Sequence, residues 1–297
     1  MAKETIIMDR INLIDVFEGI SLPRLLHTQE TVHDATNFQF QDTDILLVTY
    51  PKSGTVWTQQ ILSLILNKED IQNTITKPTW ERAPWIEQVH LWEFLAQNNA
   101  SKPRLFTTHL PSKLLIHNLK NSKVRVVYMI RNPKDVLVSY YHFHKFSKFL
   151  PDIDSFEAFF DQFLEGKVSF GSWFDHTKGW LGVQEELNFF LITYEELSQE
   201  PHQAIQNLCK FLGQQLEPEQ LESIVHYCSF SFMSQNDKLN FTLVPPEIFD
   251  HSVGKFMRKG TTENWKEFFS PEQNARFNKV YQAEMGNLTS KFSWSLY

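Results

Sequence analysis

The run Tyr50-Pro-Lys-Ser-Gly-Thr-Val-Trp57 brings a lysine, a serine, a glycine and a threonine together where an apolar stretch gives way to a helical pattern. Backbone N–H groups in the first turn of a helix lack intrahelical partners, and the helix dipole adds positive potential there. Gly54 lets the chain bend close to a bound group, so the segment can cradle an anion. Lys52 adds a mobile full charge, while Ser53 and Thr55 add hydroxyl donors. Taken alone, these residues also fit an ordinary turn with Lys52 in solvent. They do not form a Walker A loop, which needs G-x-x-x-x-G-K-[ST], whereas here the lysine precedes the glycine. A second cation, Arg131, closes a later apolar run, and its planar fork can grip a phosphate through two hydrogen bonds. The chain has 11 histidines. A neutral imidazole with a pKa near ~6.5 can take a proton at physiological pH, but composition does not say which one does.

These side chains need a scaffold that delivers loop after loop to one side. Asp44-Ile-Leu-Leu-Val-Thr-Tyr50 suits a strand buried on both faces. After Pro51-Lys-Ser-Gly54 the chain reads TVWTQQILSLILN, with Trp57, Ile61, Leu64 and Ile65 at helical spacing. The same grammar returns in 123–131, a buried-type strand followed by Asn132 as a helix cap and Pro133 at the first helical position. A third apolar run over 188–195 leads into PHQAIQNLCKFL, closed by Gly213. Further helices are predicted over 217–228 and 271–285, and the Trp- and Pro-rich stretch 67–103 reads as irregular cover that could wall a substrate. Repeated β-α units with right-handed crossovers predict an α/β fold: one domain over 1–297, with a central parallel sheet flanked by helices.

Composition bounds the function. With 297 residues, 42% hydrophobic and 14% aromatic, the chain can build a large core, which excludes a disordered or collagen-like protein. A formal charge of −7 argues against non-specific nucleic-acid binding, so an anion site must be built locally. No stretch approaches the ~18 apolar residues a bilayer span needs, and no membrane partner is expected. Two cysteines, Cys209 and Cys228, and a first twenty residues without a secretory pattern point to reduced thiols and a cytoplasmic address.

The anion loop resembles the 5′-phosphosulfate loop of cytosolic sulfotransferases, whose usual form is YPKSGTTW. Residues 131–143, RNPKDVLVSYYHF, resemble that family's 3′-phosphate segment. Thr108-His109-Leu-Pro111, Tyr194-Glu195-Glu196, Ser229-Phe230 and Phe256-Met-Arg-Lys-Gly260 follow in the family's order and spacing, over nearly the whole chain. The resemblance implies a P-loop-like phosphosulfate-binding loop and the co-substrate 3′-phosphoadenosine 5′-phosphosulfate (PAPS), with adenosine 3′,5′-bisphosphate (PAP) as product and no metal. Lys52, Ser53, Gly54, Thr55, Val56 and Trp57 would hold the phosphosulfate and stack on adenine. Arg131, Ser139, Arg258, Lys259 and Gly260 would hold the 3′-phosphate, with Phe256 and Met257 beside them. Tyr194, Cys228, Ser229, Phe230 and Met233 would line the adenine pocket. The resemblance makes His109 the base, Lys52 the stabiliser of the departing phosphate, and Ser139 a restraint on Lys52 until an acceptor arrives. The acceptor would meet Trp85, Thr107, Thr108, His109, Tyr141, Phe143 and Phe249, with Ile86 and Ile248 nearby.

The chain departs from the family pattern at several points. Thr107 stands where a lysine is usual, Val56 for a second threonine, and Cys228 for a threonine. Glu263 and Asn264 replace Gly and Asp in the late basic motif, which places a negative charge near the 3′-phosphate unless Glu263 faces solvent. The stretches WERAPWIEQ, TTHLP and WFDHTKGW resemble an amine-sulfating branch, and Glu87 is the carboxylate there that could attract a cationic amine. The family's short dimerisation stretch reads Lys266-Glu-Phe-Phe-Ser-Pro-Glu272; Ser270 and Pro271 alter it, and Pro271 removes a backbone donor from that homodimer contact. Two other readings remain open at this point: a nucleotide kinase-like phosphotransferase dependent on magnesium, and a catalytically weak protein that binds PAPS or PAP.

Overall fold

The computed structural model describes residues 13–89, 91, 103–292 and 294. Residues 1–12 of the segment read for a leader, and residues 90 and 92–102 of the cover, lie outside the described residues. At the centre is a four-stranded, all-parallel sheet in the order β4-β3-β5-β6, made of β3 (Ile45–Thr49), β4 (Leu105–Thr108), β5 (Arg125–Ile130) and β6 (Asn188–Thr193). Every residue of β3 is buried, as a strand covered on both faces requires. Alternate residues feed two cores. Leu46, Val48, Phe106, Val126 and Tyr128 pack on one face, and Ile45, Leu47, Leu105, Val127 and Met129 on the other.

The expected β-α units are present. The helix Thr55–Leu66 follows β3, and Pro133–Phe146 follows β5, with the Asn132 side chain accepting from the Lys134 N–H. Pro201–Leu212 ends at Gly213, whose φ of 65° is the left-handed conformation a glycine adopts without strain. The helices read over 217–228 and 271–285 are Pro218–Tyr227 and Pro271–Met285. Two short helices, Ile71–Thr74 and Thr79–Arg82, interrupt the stretch expected to be irregular.

Several elements lie outside the sequence reading, among them the helices Gln29–Thr36, Ser112–Lys120, Phe156–Leu164 and Trp173–Gly182. A two-stranded antiparallel hairpin, β1 (Ile14–Phe17) and β2 (Ile20–Pro23), turns through Glu18 and Gly19, both at positive φ. A short helix, Tyr194–Gln199, is set off from β6 by a capping box in which the Thr193 side chain and the Glu196 carboxylate satisfy each other's backbone N–H. No helix of the described residues is long and apolar enough to cross a membrane.

The strand order reverses around β3. The chain runs from β3 out to β4 on one side, then returns to add β5 and β6 on the other. In such sheets the crevice at the strands' carboxyl ends, where the order switches, is where ligands bind. Thr49 pairs with Met129 there, so the loop after β3 and Arg131 after β5 emerge side by side.

Candidate active site

The loop after β3 turns through two left-handed residues, Lys52 at φ 69° and Gly54 at φ 106°. A Cβ on Gly54 would lie 2.9 Å from the Tyr194 ring, so only glycine fits. The Ser53 N–H donates back to the Tyr50 carbonyl at 3.2 Å, and Thr55 Oγ1 lies 2.8 Å from Thr49 Oγ1. Ser53 Oγ is buried and has no partner among the described residues. A left-handed lysine is strained, at roughly 1–2 kcal/mol. The turn swings Lys52 Nζ between two aromatic rings, 4.1 Å from the Phe143 centroid and 4.2 Å from that of Phe256.

Three cations, Lys52, Arg131 and Arg258, converge, with Asp135 close enough to act on both arginines. Arg131 donates to the Lys52 carbonyl at 3.2 Å and to the Thr261 carbonyl at 2.9 Å, and lies over the Tyr194 ring at 4.1 Å, while its Nε is buried and unpartnered among the described residues. Arg258 bonds Asn264 Oδ1 at 2.5 Å. Burial, reinforced by Arg131 and then Arg258, pulls the Lys52 ammonium down to about 7. Burial and Arg131 also lower Arg258. Such mutual repulsion is relieved by an anion that all three can share.

The late basic motif is held from beneath by Asp135, which accepts from the backbone N–H groups of Glu263 at 2.7 Å and Trp265 at 2.9 Å. Glu263 takes a left-handed φ of 59° and pairs with Lys266 at 3.0 Å, so its charge is turned onto a neighbouring lysine. Lys259 is ion-paired with Glu267. Gly260 has a φ of 66°, and a Cβ there would meet the Phe230 ring at 2.1 Å.

His109 follows β4 and crosses to β3, where its Nδ1 lies 2.8 Å from the Thr49 carbonyl. A carbonyl only accepts, so Nδ1 carries the proton and Nε2 keeps its lone pair. Burial pushes the ring down to about 4 against the raising effect of the Thr49 carbonyl, with His27 and Lys52 lowering it further. Glu87 is fully buried rather than facing an acceptor. Its Oε1 accepts the His109 backbone N–H at 2.8 Å, and burial raises the carboxyl to about 7. The expectation that Glu87 attracts a cationic amine therefore fails, because the group is spent in fixing the His109 backbone.

The loop, the cations and His109 line one cavity of about 530 Å³. One part of its lining includes Val56, Trp57, Tyr194, Cys228, Phe230 and Met233. Trp57 meets Tyr194 edge-on at 5.1 Å, and Val56 packs with Met233 and Leu239. Ser139, Phe256, Met257, Arg258, Lys259 and Gly260 border the middle. Trp85, Phe143 and Phe249 wall another part with Ile248, Trp80 and Phe241, and Trp85 lies 5.9 Å from the His109 ring.

Five expected residues do not line this cavity. Ser53 is buried beneath the loop, and Ser229 caps its helix by accepting from the Phe232 N–H. Thr107 faces the opposite side of the sheet, donating to the Ala83 carbonyl and accepting from Gln59, both at 2.9 Å. Thr108 is buried and accepts from the Leu110 N–H. Tyr141 points to Phe156 and Phe159, and its neighbour Tyr140 takes the wall position. Ile86 is likewise buried in the core. The sequence reading missed Thr49, Asp135 and the wall supplied by Pro23 at the end of the hairpin and by Leu26 and His27 beyond it. A Glu-Gly pair between IDVF and ISLP was the signal for that hairpin.

A family model described as a sulfotransferase domain fits residues 42–289. Sulfotransferase 2B1 of Homo sapiens is 41% identical over 279 residues, covering 94% of this chain and 76% of the relative. Sulfotransferase 2A1 of Homo sapiens is 40% identical over 282 residues, covering 94% and 97%. A 3-beta-hydroxysteroid sulfotransferase of Cavia porcellus is 38% identical, covering 94% and 96%. Among solved structures, mouse sulfotransferase SULT7A1 complexed with PAP superposes with a TM-score of 0.76 at 27% identity, covering 94% of this chain and 96% of that one. The matched span starts just before β3 and runs past the Pro271–Met285 helix, taking in the whole parallel sheet and every cation of the cavity, and the chain is therefore a member of the sulfotransferase family.

Proposed function

We propose that the chain transfers a sulfuryl group from PAPS to a hydroxyl of a small apolar acceptor. The observation that carries this reading is the meeting of Lys52, Arg131 and Arg258, each close enough to depress a neighbour's proton affinity, at the mouth of a helix-start loop. A ligand with anionic groups at both ends of a nucleoside fits this arrangement, and the buried Ser53 Oγ and Arg131 Nε are hydrogen-bonding groups left over for it. Family membership removes the kinase-like reading, and the PAP bound to the mouse relative supports the adenosine donor. Both cysteines are free and buried, which accords with the reducing cytoplasm as the place of the reaction.

The acceptor oxygen attacks sulfur while its proton passes to His109 Nε2, and the bond from sulfur to the bridging phosphate oxygen breaks. Lys52 is the cation that meets the charge left on that oxygen. The Thr49 carbonyl holds the His109 tautomer, and a ring depressed to about 4 is neutral and ready to accept a proton at physiological pH. A base this weak takes the proton only as the oxygen bonds to sulfur, which suits a concerted transfer.

Aromatic and aliphatic side chains dominate the acceptor end, and no Asp or Glu of the described residues lines the cavity. A cationic amine would find no counter-charge and three cations close by, so a neutral hydroxyl on an apolar frame is favoured over the amine suggested by Glu87. The hydroxysteroid sulfotransferase among the relatives supports that class. Labelled sulfate from PAPS should reach a hydroxylated apolar acceptor equally well with and without EDTA. His109→Ala should lower kcat/KM by about 10²–10⁴-fold and Lys52→Ala by about 10²–10³-fold, with unchanged melting profiles. Near wild-type turnover in either variant would refute that residue's role.

A further inference from the structure

We propose that His27 is an acceptor-specificity residue whose Nε2 receives a hydrogen bond from a second hydroxyl of the acceptor, distinct from the one that is sulfated. This rests on the sulfuryl-transfer reading above and narrows its acceptor class to apolar diols. His27 follows β2 and is fully buried, yet it forms part of the cavity wall with Pro23, Leu26 and Trp85. Its ring meets Phe170 edge-on at 5.5 Å, and the His109 ring meets the same phenyl group at 5.2 Å. The two imidazoles therefore flank one aromatic side chain at the acceptor end.

The tautomer of His27 is fixed by its own chain. Nδ1 lies 2.9 Å from the Pro23 carbonyl, which only accepts, so Nδ1 carries the proton and Nε2 carries a lone pair. Nε2 is buried with no partner among the described residues. Burial holds the ring near 4 despite that hydrogen bond, so Nε2 is an acceptor and not a donor at physiological pH. A buried acceptor without a partner is costly, and a ligand that donates to it recovers the loss. A hydroxyl fits best, because an ammonium would bring another cation into a cavity already lined by Lys52, Arg131, Arg258 and Lys259. His109 handles the reacting hydroxyl, and His27 fixes which way round the frame lies.

The test compares a diol with the mono-hydroxy analogue of the same polycyclic frame, using wild-type enzyme, His27→Phe and His27→Gln. Phenylalanine keeps the ring packing against Phe170, and the Pro23 carbonyl retains the residue-27 backbone N–H, now 3.2 Å away. Glutamine restores a side-chain oxygen able to accept. The wild type should prefer the diol by about tenfold or more in kcat/KM. His27→Phe should bring that ratio close to one while still turning over the mono-hydroxy compound, and His27→Gln should recover part of the preference. An unchanged ratio in His27→Phe overturns the proposal. Binding to the enzyme with PAP gives a second reading that needs no turnover: the 15N resonance of His27 Nε2 should move with the diol and stay with the mono-hydroxy compound. Equal behaviour with both ligands also overturns the role of His27. Failure of wild-type enzyme to sulfate either compound would count against the transfer reading, while the resonance would still decide the role of His27.

Discussion

Lys52 and His109 sit in one cavity with their proton affinities depressed, to about 7 and about 4, and burial is the leading cause for both. The lysine is legible in the sequence because its loop is a contiguous motif, whereas the histidine is singled out among 11 only by family resemblance. Glu87 shows what a linear reading misses. A carboxylate in a polar-looking stretch reads as a solvated or ligand-facing charge, but folding buries it against the backbone of a residue 22 positions away. Its raised value, about 7, makes a stability statement. A carboxyl whose folded pKa is raised favours the folded state below its unfolded pKa of about 4.3, and that contribution is lost as pH rises through about 7. Glu195 is raised to about 7 in the same way. Glu87→Gln keeps an oxygen for the His109 N–H and removes the ionisation. Its melting temperature should therefore fall less than that of the wild type between about pH 5 and about pH 8. Parallel losses in thermal melts of the two proteins would show that folding does not raise the Glu87 carboxyl.

The elements that position the site were largely readable, because buried parallel strands and amphipathic helices carry strong periodic signals. The runs containing β3, β5 and β6 and the four long helices after them lie where apolar patterning, Asn132, Pro133 and Gly213 place them. The β1-β2 hairpin escaped because its four-residue strands are too short to show a pattern, yet it leads directly into His27. Thr107 was misplaced by reading proximity to His109 as shared direction. It belongs to β4 and faces the second core, while His109 lies beyond the strand end. Ser270 and Pro271, read as damage to a dimer contact, start the last long helix: Ser270 caps it and Pro271 occupies its first position. The closing segment is more demanding. Gly260 combines a left-handed φ with a ring that would overlap any Cβ. Gly260→Ala should weaken PAP binding by about tenfold or more with a small change in melting temperature, as calorimetry and thermal melts would show. Unaltered affinity would mean that this segment does not close on the nucleotide.

At the scale of the whole molecule, the strand order 4-3-5-6 explains why one cavity collects side chains from such distant parts of the sequence. Reversal at β3 sets the phosphosulfate-type loop, Arg131 and His109 around one crevice, and Arg258 reaches it from more than a hundred residues later. The central claim is that this convergence of cations exists to hold an anionic sulfuryl donor. Free Lys52, at about 7, is mostly neutral at about pH 8, and an anion bound beside it must draw a proton onto the amine. Titration calorimetry with PAP at that pH, in buffers of different ionisation enthalpy, reads this uptake directly. Tight binding with uptake of most of a proton by the wild type, and none by Lys52→Met, is the expected result. Binding without proton uptake, or the same uptake in Lys52→Met, would contradict it.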